Sequence, residues 1–162
     1  MQHYPVLDWF AFNWLGNAMR TVRWLYPLGQ VLHFVGLCFL AGAIVLVDVR
    51  LLGFLRRLPA RAVLSAIPIA LAGFAVNAIT GVAFFASDPY RFWFDAAFRF
   101  KLLAILLAGV NALWFTLTEQ RRVLAAPAAS DFGAATKISA SLSLTLWIAV
   151  IVFGRLLPVY QP

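Results

Sequence analysis

The chain has 162 residues, of which 64% are hydrophobic and only 12% charged, with a mean hydropathy of +0.89. A soluble domain needs about a quarter of its residues charged to coat its surface, and a disordered chain lacks long aliphatic runs, so both classes are excluded. The net charge of +7 arises from 13 Lys and Arg against 6 Asp and Glu, but the basic residues cluster between apolar runs, a pattern that sets membrane topology, and no nucleic-acid partner is expected.

Residues 6–24 come first. They have no basic start, and Trp9, Phe10, Phe12 and Trp14 are too bulky for the small-residue exit of a cleavable signal. The stretch reads as an interfacial amphipathic helix, with Asp8 as its expected cap and Arg20, Arg23 and Trp24 before the first span. A helix rises ~1.5 Å per residue, so crossing ~30 Å of hydrocarbon takes about 20 apolar residues. Four runs satisfy that, at 27–55, 62–86, 98–118 and 134–157. Between the second and third, Ser87-Asp88-Pro89-Tyr90-Arg91-Phe92-Trp93-Phe94 reads as a second interfacial segment, and Ala125 to Ser130 as a low-complexity linker. The expected fold is therefore an all-α integral membrane protein, a four-transmembrane-helix bundle forming one domain over 1–162.

Topology follows from the loop cations. Arg56, Arg57, Arg61, Arg121, Arg122 and Lys137 fall on one face and Arg20, Arg23 and Arg91 on the other. The excess places the 56–61 and 119–133 connections in the cytoplasm and both termini in the periplasm of a bacterial inner membrane.

Polar groups inside hydrocarbon are costly, so those within the spans carry the functional information. In the first span Gly29, His33, Gly36, Leu40, Ala43 and Val47 recur at steps of four and three, forming one stripe. Two readings of His33 stand side by side. In one, its imidazole ligates a haem iron, with Gly36 making room for the macrocycle. In the other, it hydrogen-bonds a Ser, an Asn or a carbonyl of a neighbouring helix. Arg99 and Lys101 open the third span and Arg155 closes the fourth, on the face from which His33 is entered. They suit the propionates of a b-type haem, or alternatively snorkel to headgroups. A second histidine within the spans is absent; His3 would have to fold back over the outer face, so the iron would be five-coordinate, shared across a homodimer, or completed by another subunit.

The remaining polar positions read as architecture. Gly73, Asn77 and Gly81 make a close-packing seam on the second span, and Lys101, Ala104, Ala108, Asn111 and Phe115 a seam on the third. Lys137, Ser141, Ile148 and Arg155 share a face of the fourth, where Ser139, Ser143 and Thr145 are expected to bond within their own helix. Asp48 is expected to clasp Lys137 or Arg121, with a proton relay as the alternative. Cys38, the only cysteine, excludes an internal disulfide and reads as a packed hydrophobe. No hydrolytic motif is present in the sequence, and the soft ligands a copper transporter needs are not clustered in it.

The run His33-Phe34-Val35-Gly36-Leu37, with Gly42, Asp48-Val49-Arg50-Leu51-Leu52-Gly53, Pro68, Gly73-Phe74, Gly81, Phe98, Lys101, Asn111, Ser141-Leu142, Trp147 and Gly154-Arg155, resembles a bacterial family of small four-span proteins. That group is similar to the copper-resistance D membrane domain and, more distantly, to the HemJ type of protoporphyrinogen oxidase. The HemJ resemblance implies a b-type haem on a first-span histidine, which maps to His33; oxidase activity is not carried over, because a second histidine and the HemJ basic pattern are missing. The copper-resistance resemblance implies metal handling.

The function expected on these grounds is electron transfer through one haem b, with His33 as metal ligand, His33, Gly36, Arg99, Lys101 and Arg155 around the cofactor, and a quinone or cytochrome as redox partner in the lipid bilayer. The alternative is a non-catalytic anchor or accessory subunit of a larger respiratory or photosynthetic complex. A third expectation is a small transporter with a pathway past Asp48 and Asn77.

Overall fold

A computed structural model describes residues 4–127 and 130–156. Four helices in it are long and apolar enough to cross a membrane: α3 (Leu25–Leu51), a second span formed by α4 (Ala60–Leu64) and α5 (Ile67–Ser87), α7 (Ala96–Thr118) and α9 (Ala134–Leu156). The chain is thus a four-helix multi-pass membrane protein. The second span is broken at Ser65-Ala66, because Pro68 supplies no amide hydrogen for a continuous ladder and sits instead in the first turn of α5. Short helices complete the chain: α1 (Pro5–Phe12), α2 (Trp14–Thr21), α6 (Pro89–Phe94) and α8 (Gln120–Ala125).

The interfacial N-terminal helix is two helices. Asp8 does not cap the first; Tyr4 precedes it and Pro5 starts it. Asn13 interrupts the run and caps α2, accepting the Gly16 amide at 2.8 Å. Asp8 instead accepts a hydrogen bond from the Tyr90 hydroxyl, tying α1 to α6. Both segments gather at the end where α3 begins and α9 finishes, here called the upper end.

The four spans form an open arc in the order α5, α3, α9, α7. The tightest seam joins α3 to α5. A Cβ on Gly73 would stand 2.6 Å from the Gly36 carbonyl oxygen and 2.7 Å from the Leu40 nitrogen, so only glycine permits the observed approach. In lipid, where burial against tails gains nothing, such backbone-to-backbone packing is what holds helices together. The seam between α7 and α9 uses Ala104, Ala108, Asn111 and Phe115, all buried as the spacing predicts. There Asn111 Nδ2 donates to the Ser139 carbonyl at 3.0 Å and Ser139 Oγ donates back to Asn111 Oδ1 at 3.1 Å. Ser139 therefore does not bond within its own helix, whereas Thr145 does, to the Ser141 carbonyl. Ser141 and Ile148 face outward, with Val31, Phe39, Leu106 and Leu117. Cys38 is also exposed on the outer surface of α3, which corrects its reading as a packed residue.

At the lower end α4 and α8 pack together and bridge the gap between the ends of the arc. Val47, Leu51, Val63, Leu64, Phe115, Val123 and Ala140 form the closed core there. At the upper end α6 and the Phe85–Phe98 stack link α5 to α7, and below that roof the two helices are not packed together.

Candidate functional site

The concave side of the arc, in its upper half, encloses a cavity of about 620 Å³. Helical periodicity builds its walls: Phe98, Lys101, Leu102 and Ile105 from α7, Trp147, Val150, Ile151, Gly154 and Arg155 from α9, and Asn77, Ala78, Gly81 and Val82 from α5. His33, Phe34, Leu37 and Leu40 line it from α3. Phe10, Phe85, Trp93 and Phe98 roof it, Phe85 stacking on Phe98 with ring centroids 5.7 Å apart. Below, Phe74 meets Trp147 edge-on at 6.4 Å. No packed seam joins α5 to α7, and Val82 and Leu102, which line the cavity from those two helices, are half-exposed. The cavity therefore opens sideways, between the ends of the arc.

His33 lies eight residues into α3, about 12 Å below its upper end at the helical rise. Its Nδ1 is 2.7 Å from Thr80 Oγ1. The Thr80 hydroxyl proton is committed to the Val76 carbonyl at 2.7 Å, so the oxygen accepts and Nδ1 carries the hydrogen. Nε2 is then the lone-pair nitrogen, with no hydrogen-bond partner among the described residues. Phe84, edge-on to the imidazole at 5.6 Å, limits rotation of the ring. A histidine whose one nitrogen is fixed by a neighbour and whose other is free is oriented as a metal ligand or a hydrogen-bond acceptor. The interhelical hydrogen bond foreseen for His33 thus exists, with threonine as the partner, and it leaves the second nitrogen available.

Of the other candidate residues, Lys101 and Arg155 line the same cavity as His33. Lys101 runs along Gly154, where an added Cβ would lie 3.5 Å from the ammonium nitrogen. Arg99 is turned away on the exposed side of α7, donating to the Phe94 carbonyl at 3.2 Å. Gly36 lies outside the cavity wall; the space its missing side chain leaves is filled by Gly73 and Val76 of α5, so it admits a helix rather than a flat ligand. His3 lies outside the described residues.

Asn77 is the residue that sequence reasoning misjudged. Placed by its spacing in a close-packing seam with Gly73 and Gly81, it lines the cavity, and its Oδ1 and Nδ2 are both buried with no hydrogen-bond partner among the described residues. Thr80 was missed, although it extends the Gly73–Asn77 row by one helical step of three.

Polar groups at the lower end are, by contrast, largely paired. Arg50 is 1% exposed; its Nε donates to the Leu58 carbonyl at 2.7 Å, its Nη atoms reach the Ser130 carbonyl, and its guanidinium stands 4.9 Å over Phe132. Glu119 accepts from Thr136 at 2.7 Å and from Arg122 at 3.2 Å. The clasp assigned to Asp48 belongs elsewhere: Lys137 pairs with Asp131 at 2.9 Å, and Asp48, 5% exposed, is hydrogen-bonded by Ser143 with Oδ2 unpartnered. Arg50 is the residue that ties the two lower loops. The Lys137 hydrogen bond, with help from Arg56, holds the Asp131 carboxyl below the usual aspartate range, while the carboxylate of Asp8 raises the Tyr90 phenol.

Fold and cavity together define a membrane bundle with one side-opening pocket between its two helical hairpins. The chain belongs to a family described as a family of unknown function, DUF6644, whose pattern matches residues 6–159. Nothing among the curated proteins or the solved structures matches it significantly.

Proposed function

We propose that the protein holds one b-type haem in the upper cavity, with His33 as axial ligand, and serves electron transfer to a quinone or cytochrome in or at a bacterial inner membrane, its termini on the periplasmic side. The observation that carries this reading is the state of His33: Nδ1–H is fixed by Thr80, Nε2 has no protein partner among the described residues, and the residue lines a cavity within the usual range for ligand sites. A haem bound there supplies a one-electron iron couple. The chain's own residues do the rest. Thr80 sets the tautomer and raises the basicity of Nε2. Lys101 and Arg155, nearer the upper end than His33, offer cationic partners to carboxylates. Phe74, Trp147 and Val150 exclude water from the deep part of the space. Arg99 and Gly36, as described above, have no part in this form of the proposal.

The test is the absorption spectrum of detergent-purified protein expressed with ample haem. A Soret band at one haem per chain is expected, lost in His33→Ala while helical content is kept, and weakened in Thr80→Val. A colourless wild-type protein overturns the reading, and colourless protein that co-purifies with other chains in a fixed ratio favours an accessory subunit.

A further inference from the structure

The cavity carries two cations for which its described lining offers no anion. Lys101 lies five residues into the membrane-spanning helix α7, about 7–8 Å below its upper end at the helical rise. It is half-buried, and among the described residues it has no ion-pair or hydrogen-bond partner. Arg155 lines the same space, and among the described residues no Asp or Glu does. An unpaired cation at that depth is costly unless something else brings the anion. The rest of the lining is apolar apart from His33 and Asn77, the roof is closed by aromatic rings, and the open side faces the hydrocarbon between α5 and α7.

We infer that the cavity binds a membrane-dissolved, single-chain fatty acid, which enters sideways between α5 and α7 and sets its carboxylate against Lys101 and Arg155. A carboxylate is favoured over a phosphate because the head lies below the headgroup level, where a monoanion costs less to desolvate than a group bearing up to two charges. One chain is favoured over two by the size of the cavity. The inference goes beyond the haem reading, since it needs neither iron nor His33; fatty acid and haem compete for one space.

The experiment uses the full chain in an uncharged detergent, with oleate, oleyl alcohol and an 18-carbon lysophosphatidate as probes, read by native mass spectrometry and by thermal shift. Oleate is expected to bind one per chain, at least about tenfold more tightly than the alcohol, the factor a modest charge-assisted contact supplies. Lys101→Gln should abolish that difference, Lys101→Arg should keep it, and Arg99→Gln, on the outer side of α7, should leave it unchanged, while the Soret band is read separately on the same protein, so failure of the haem reading and failure of this one are told apart. Should Lys101→Gln not fold, Arg155→Gln is expected to reduce the same preference. Equal binding of alcohol and acid overturns the inference, as does an unchanged preference in a folded Lys101→Gln protein. Lysophosphatidate binding as tightly as oleate overturns the carboxylate assignment.

Discussion

The two ends of this bundle solve the same problem in opposite ways. At the lower end, α4 and α8 bridge the arc, and Arg50, Glu119, Asn111 and Ser139 find partners within the chain. In the upper half, where α5 and α7 are linked only through the aromatic roof and α6, Lys101 lacks a counter-charge and Asn77 lacks a hydrogen bond among the described residues. A membrane interior makes unpaired polar groups expensive in both halves. The lower half leaves one Asp48 oxygen unpaired; the upper half leaves Lys101 and both Asn77 side-chain polar atoms without partners among the described residues, around an open cavity.

Five perturbations bear on that contrast, taken from the largest expected effect downward. Gly73→Leu strikes the spine shared by both halves: its side chain would enter the Gly36 and Leu40 backbone, and the helix pair should separate, with a loss above about 3 kcal/mol seen in detergent unfolding. Arg50→Leu removes the donor on which the Leu58 and Ser130 carbonyls depend and should cost about 2–3 kcal/mol in the same assay. Lys101→Leu is expected to have the opposite sign, stabilising the ligand-free protein by about 1–2 kcal/mol, because it deletes a cation that has no partner among the described residues. If Lys101→Leu destabilised as Arg50→Leu does, the contrast between the halves would be lost.

Gly81→Ala comes fourth. A Cβ at that position meets nothing within 4 Å, since it points into open space, so the gain in helix propensity should appear undiminished, about 0.5–1 kcal/mol, in thermal melts. The smallest effect is on the lower surface. The carboxyl of Asp131 is held below its ordinary range by Lys137, so the contribution of this pair is full above the ordinary aspartate pKa of 3.8 and is lost as pH falls through the lowered value. Melting temperature should drop slightly more below pH 4 in wild type than in Asp131→Asn, with the upper cavity unaffected.

Much of this was legible in the residues. The spans were, because length and hydropathy are local properties: the runs at 98–118 and 134–157 differ from α7 and α9 by two residues or fewer at their described ends. The α7 seam was legible too, since alanines and an asparagine at steps of three and four can only share a face. Partners were not. His33 and Thr80 are 47 residues apart, and nothing in either neighbourhood names the other. Asp48 and Arg50 were both visible as charges ending a span, yet which of them would tie the lower loops depended on where Leu58 and Ser130 came to rest. Gly36 could not be assigned from spacing either, because a glycine that admits a helix and one that admits a ligand are the same residue until the neighbour is in place.

The amino-acid order by itself determined a membrane chain with four crossings, an aromatic-rich N-terminal segment, and cations at the span ends, because each follows from composition within a window of about 20 residues. Tertiary structure alone decided that the crossings form an arc rather than a closed ring, that Lys101, Arg155, His33 and Asn77 share one space, and that Arg99 and Gly36 stand outside it. Those outcomes depend on the distances between helices, which are set by backbone contacts such as Gly36 on Gly73 and by side chains far apart in the chain.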